Sequence, residues 1–151
     1  MSRAIVVPVL RELVRCYQAF ERTSDAHIRR SGLTSPQFDV VATLGNTPGL
    51  PFKALGDRTL IAKGTLTGVV DRLEGKGLVE RVDCPGDGRS TIVRLTPAGD
   101  RVFRETFEPH LAFLAPAFES LSDSGRRELE KRLRQLREAL EKRGDALDQP
   151  S

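Results

Sequence analysis

Residues able to do chemistry are sparse in this sequence, and they suit binding better than bond-making. Lys63, Thr65, Thr67 and Arg72 fall in one stretch with helical spacing. On a helical wheel Leu66, Val69, Val70 and Leu73 share one face. Gly64, Gly68, Asp71, Arg72 and Gly75 share the other, with Thr65 and Thr67 on the flanks. A cation at the start of such a helix can reach a phosphate or a guanine edge, and hydroxyls can donate to phosphates or meet a thymine methyl. Glycine inside a helix costs roughly 0.5–1 kcal/mol against alanine. Three glycines on one outward face therefore suit a surface that lies close to another molecule. A further cation, Arg89, stands two residues after Asp87 in a run dense in turn residues.

Catalysis has little to work with. The only histidines are His27 and His110, and the only cysteines Cys16 and Cys84. They cannot supply a disulfide framework or a structural zinc quartet, and no two of His27, His110 and Cys16 have ligand spacing on one helix. No nucleophile–His–acid set and no glycine-rich phosphate loop is present. The reading is a non-enzyme with no cofactor and no metal, in a reducing compartment.

The elements that must position the binding residues follow from periodicity and punctuation. Val6, Leu10, Leu13, Tyr17, Phe20 and Ser24 predict an amphipathic helix to about Arg30, ended by Gly32. Thr34 and Gln37 have capping-box spacing, Pro36 suits the first turn, and Phe38, Val41, Ala42 and Leu44 form the apolar face of a second helix. A short helix over Phe52–Arg58 and a tight connection lead to a helix from about Lys63 to Lys76, capped by Gly77. Leu78–Val82 and Thr91–Leu95 read as a two-stranded hairpin with a long tip over residues 83–90. Thr96 and Pro97 then open a helix with Phe103, Phe107, Leu111 and Leu114 as its stripe, which Pro109 and Pro116 should kink or break. Ser122 and Asp123 begin the last helix, with Leu129, Leu133, Leu136 and Leu140 spaced as a seam. The predicted fold class is mainly α with a small β-hairpin wing, a winged helix-turn-helix flanked by N- and C-terminal helices.

These pieces resemble the multiple-antibiotic-resistance regulator (MarR) family. Leu33-Thr34-Ser35-Pro36-Gln37-Phe38 looks like the start of its second helix, and the stretch Lys63 to Glu74 like its recognition helix. Gly77 to Arg81 resembles the first wing strand, Asp87-Gly88-Arg89-Ser90 the wing tip, and Val93 to Gly99 the return strand and next helix start. The resemblance implies a dimeric transcription regulator, usually a repressor. Its DNA-binding residues would be Lys63, Gly64, Thr65, Thr67, Gly68, Arg72 and Arg89, with Asp87 orienting the wing arginine in the minor groove. Two departures stand out: Ala62 replaces a Ser or Thr cap, and Gly68 replaces an arginine common among relatives. The first forfeits a helix cap, at about 1 kcal/mol, and the second points to fewer base contacts.

The expected organisation is one MarR-type domain over residues 1–151. Residues 35–96 form the DNA-binding lobe, residues 1–34 with 97–145 the dimerisation helices, and residues 146–151 a polar tail. Leu10, Leu13, Leu129, Leu133, Leu136 and Leu140 are the candidate dimer residues, because the middle of the chain offers little apolar surface to cover both outer helices. Tyr17, Phe20, His27, Phe38 and Val41 are candidates for a pocket that takes an aromatic acid or phenol.

The expected partners are a pseudo-palindromic double-stranded operator, a second copy of the chain and a small-molecule effector. The competing reading is a winged-helix module that binds protein instead of DNA. Net charge does not decide between them, since residues 51–99 hold 8 basic and 6 acidic side chains. The longest apolar run near the start, Ala4–Leu10, contains Pro8 and is too short for a membrane span of about 20 residues. A cytoplasmic, nucleoid-associated protein is expected.

Overall fold

Capping chemistry sets where the helices begin. Thr34 Oγ1 accepts the Gln37 backbone N–H at 3.3 Å while the Gln37 side chain accepts the Thr34 N–H at 3.1 Å, a complete capping box. Thr96 and Ser122 cap two later helices by accepting the N–H of Gly99 and Gly125. In the computed structural model, which describes residues 3–84 and 86–148, the helices are α1 (Arg3–Ile28), α2 (Ser35–Leu44), α3 (Phe52–Arg58), α4 (Lys63–Gly75), α5 (Pro97–Phe118) and α6 (Asp123–Leu147). The strands are β1 (Leu50–Pro51), β2 (Val79–Cys84) and β3 (Asp87–Leu95). The chain divides into two compact units after Leu111.

The first unit has a single core. Val40, Val41 and Leu44 of α2, Leu55 of α3, and Leu66, Val69, Val70 and Leu73 of α4 are buried with Val79 and Val93 of the sheet. Each such side chain contributes about 1.5–3 kcal/mol by leaving water. The apolar face assigned to the Lys63–Lys76 stretch is thus the buried one. At its end Gly77 adopts φ 73°, donates to Glu74 O, and is followed by a Leu78 N–H donating to Leu73 O. This glycine-capped turn leads α4 directly into β2.

The sheet differs from the expected hairpin in two ways. It has three antiparallel strands in the order β1-β3-β2, with Leu50 opposite Val93 and Pro51 opposite Ile92. A strand of two residues leaves no periodic signal, and its proline is tolerated because it lies on an edge strand. The hairpin arms also run further, to Cys84 and from Asp87, than a tip over residues 83–90 allows. Asp83 faces Thr91 but Cys84 faces Asp87, so residues 88–90 form a bulge on β3.

Of the expected kink or break at Pro109 and Pro116, the break is corrected, since α5 is continuous over Pro97–Phe118. An interior proline forfeits one helix hydrogen bond and crowds the preceding turn, at about 3 kcal/mol or more. Buried anchors beside Pro109 hold the helix against that cost: Phe103, stacked on Phe107 at 5.1 Å, and His110.

Gly45, just past α2, explains how closely α5 approaches. A Cβ there would stand 2.2 Å from the Phe103 ring. Gly45→Ala should therefore lower stability by about 1–3 kcal/mol, as overpacking does. A thermal melt at the wild-type temperature would refute this packing.

Asp39 on α2 fixes the turn ahead of α4. Its Oδ2 accepts the Leu60 backbone N–H at 2.7 Å. Burial raises its pKa above the ordinary carboxylate range, and the bonds from Leu60 and Thr43 only partly oppose this. A raised carboxylate favours the protonated fold, so this stabilisation is present at low pH and lost as pH rises through the folded pKa. Asp39→Asn keeps an acceptor oxygen without the charge. It should melt higher than wild type at neutral pH, with the gap closing on acidification; a gap that does not change with pH would contradict the assignment.

Candidate DNA-binding surface

The exposed face of α4 is nearly bare. Gly64, Gly68 and Gly75 have no atom within 4 Å of where a Cβ would sit. Gly64, Thr65, Thr67, Gly68 and Arg72 are exposed, while Leu66, Val69, Val70 and Leu73 seal the opposite face. Ala62 stands at the N-cap and contributes no side-chain bond. The result is a low, hydroxyl-bearing ridge whose backbone another molecule can approach closely. Lys63 opens α4, and Asp87 and Arg89 fall on β3. The side chains of these three lie outside the described residues.

Charge on this ridge is set by a residue that the sequence did not single out. Arg81 of β2 donates through Nη2 to Asp71 at 2.6 Å and through Nη1 to Glu74 at 3.2 Å. It joins the wing strand to α4 and neutralises both acids beside Arg72. Among the described residues Arg72 has no ion-pair partner, so it presents its positive charge outward. An arginine one strand away from two helix acids carries no spacing signal in sequence, which is why it was missed. Arg94 sits opposite Glu80 and bonds it at 2.6 Å, a cross-strand pair at the base of the wing.

A second feature is a cavity of about 290 Å³ lined by His27, Ile28, Arg30, Ser31, Phe38, Val102, Glu105, Thr106, Pro109 and His110. His27 and Phe38 were expected there. Of the other expected pocket residues, Tyr17 and Phe20 stand exposed on α1, at 61% and 46%, two to three turns ahead of His27. Val41 is sealed in the core. His110, which showed no partner in sequence, is 5% exposed and well bonded: its Nδ1 lies 3.0 Å from His27 Nδ1 and its Nε2 lies 3.2 Å from Ser24 Oγ. The Phe38 ring meets it edge-on at 4.9 Å. Burial, and then the neighbouring His27, lower the His110 pKa. The described residues include no group of three or more His, Cys, Asp or Glu able to hold a metal ion.

Known proteins of similar sequence and structure are transcriptional regulators. The MarR family model matches residues 33–91. The HTH-type transcriptional regulator MhqR of Bacillus subtilis is 32% identical over 74% of this chain and 77% of its own length. The structure of Sco3205, a MarR family transcriptional regulator from Streptomyces coelicolor in complex with DNA, superposes with a TM-score of 0.84. That match is 27% identical and covers 93% of this chain and 90% of the other. BpsR of Bordetella bronchiseptica, whose DNA binding is regulated by 6-hydroxynicotinic acid, gives a TM-score of 0.74 at 27% identity over 85% of this chain and 98% of that one. The matched proteins are transcriptional regulators, not enzymes. The chain belongs to the MarR family and is a DNA-binding transcriptional regulator.

Proposed function

We propose that the protein is a homodimeric repressor that holds a pseudo-palindromic operator in the absence of effector and leaves it when a small aromatic acid enters the His110 cavity. The exposed, glycine-lined face of α4 beside Arg72 carries the DNA part of this reading. Thr65 and Thr67 serve phosphates and thymine methyls, Lys63 and Arg72 serve phosphates or guanine edges, and Arg89, oriented by Asp87, serves the minor groove. Gly64 and Gly68 let the helix backbone approach. The protein would act in the cytoplasm, bound to the nucleoid; no helix among the described residues is long and apolar enough to cross a membrane.

Dimerisation is supported by apolar side chains that each unit leaves in water. Along α1, Ile5, Val9, Leu10, Val14, Tyr17 and Phe20 are exposed, and Leu13 is only partly covered. Along α6, Leu129, Leu133 and Leu140 are exposed, Leu136 is partly covered and no residue is buried. Such stripes mark interfaces more often than free surface. Residues 1–34 and 97–145 would then dimerise while residues 35–96 contact DNA, and two lobes would meet two half-sites of the operator.

Gly68→Glu should reduce operator affinity more than ten-fold, about 1.4 kcal/mol, while leaving fold and dimer intact. The measurement is a gel shift on DNA flanking the protein's own gene, and unchanged affinity would refute the placement of this face. Replacing Leu133 and Leu136 together by Glu should shift the protein toward monomer in light scattering. A wild-type protein that is monomeric at micromolar concentration would overturn the dimer.

A further inference from the structure

We infer that the His27–His110 pair makes effector binding proton-linked: the cavity takes up one proton together with an anionic aromatic ligand. This rests on the effector reading of the cavity given above and adds the chemistry by which the site accommodates a buried negative charge.

The geometry sets the proton count. A hydrogen bond between two imidazole Nδ1 atoms, here 3.0 Å apart, needs one nitrogen protonated and the other bare. The doubly protonated pair, with a hydrogen on both Nδ1 atoms, breaks it. The pair therefore carries a charge of zero or one. Two arrangements satisfy the neutral state. His27 Nδ1–H donates to His110 Nδ1 while His110 Nε2–H donates to Ser24 Oγ, or both directions reverse. The serine hydroxyl, 3.2 Å from Nε2, serves either. A third N–H proton on the two rings charges the pair and leaves the internal bond in place.

The surroundings decide when that proton arrives. The pair ties α1 to α5, and Phe38 of α2 closes the His110 side with an apolar edge. The charged residues that line the cavity are Arg30, following α1, and Glu105 on α5, one of each sign. The remaining polar lining, Ser31 and Thr106, is neutral and already donates to the backbone carbonyls of Ile28 and Val102. With the cavity empty, burial keeps His110 neutral at physiological pH, in line with its lowered pKa. A carboxylate arriving within about 4–6 Å favours the charged form of the pair. Half-exposed His27 offers the proton a path from solvent. Ligand and proton then enter together and the cavity gains no net charge.

The test is isothermal titration of the full chain with 6-hydroxynicotinate, benzoate, salicylate and 4-hydroxybenzoate. Each titration is run at one near-neutral pH in phosphate and in Tris, whose ionisation enthalpies differ. The expected result is a buffer-dependent enthalpy corresponding to uptake of up to one proton, with affinity rising by up to ~10-fold per unit fall in pH across the linked range. His27→Gln, checked for folding by a thermal melt, keeps hydrogen-bonding capacity without titrating, and its binding enthalpy should no longer depend on buffer. Ligand binding with no proton uptake by the wild type overturns this inference and leaves the effector reading standing. Uptake that survives His27→Gln but is lost in Glu105→Gln places the proton on the carboxylate and also overturns it. Binding of none of the four acids overturns both.

Discussion

The burial of one face of α4 is the constraint on which the rest depends. Leu66, Val69, Val70 and Leu73 fix the rotation of the helix about its axis, because turning it by a third would bring glycines to the core and four aliphatic side chains into water. With rotation fixed, the opposite face has no packing role. Its composition can then answer to a ligand instead of to stability. Three glycines on that face are a local loss to the helix, and the core beneath makes the loss tolerable.

Fixing rotation does not fix the helix ends, and these are held by separate devices. At the start there is no side-chain cap, and the turn is set instead by Asp39 accepting the Leu60 N–H. At the finish Gly77 closes the helix with two backbone bonds and feeds β2, from which Arg81 reaches back to Asp71 and Glu74. Exposed ion pairs of this kind contribute little to stability, about 0–1 kcal/mol. Their consequence is positional: they tie the wing strand to the helix, and two carboxylates that would repel a phosphate are neutralised within the protein.

What sequence could show was what is local. The capping box of Thr34 and Gln37, the caps at Thr96 and Ser122, the glycine stop at Gly77 and the division of α4 into two faces each depend on residues within a few positions of one another. What it did not show depends on pairing between distant segments. β1 exists only because β3 lies beside it, and the bulge at residues 88–90 is set by register against β2. Pro109 read as a break because the local rule is correct, yet the buried anchors around it decide otherwise. His110 showed no partner because Ser24 and His27 lie more than eighty positions away.

The same contrast separates the two kinds of site. The ridge on α4 is written in one helix and is legible as a pattern, while the cavity is assembled from the end of α1, the turn after it, α2 and α5, and no single segment announces it. Its histidine pair is the more constrained feature of the two. A solvated face tolerates many side chains, whereas a buried imidazole whose neighbour, hydroxyl and aromatic edge are all fixed tolerates few. A polar chain of this kind is costly to bury for packing alone, since aliphatic residues would fill the same space without any need for partners. The pair stands where α1, α2 and α5 meet, and α2 is also the helix against which α4 is packed.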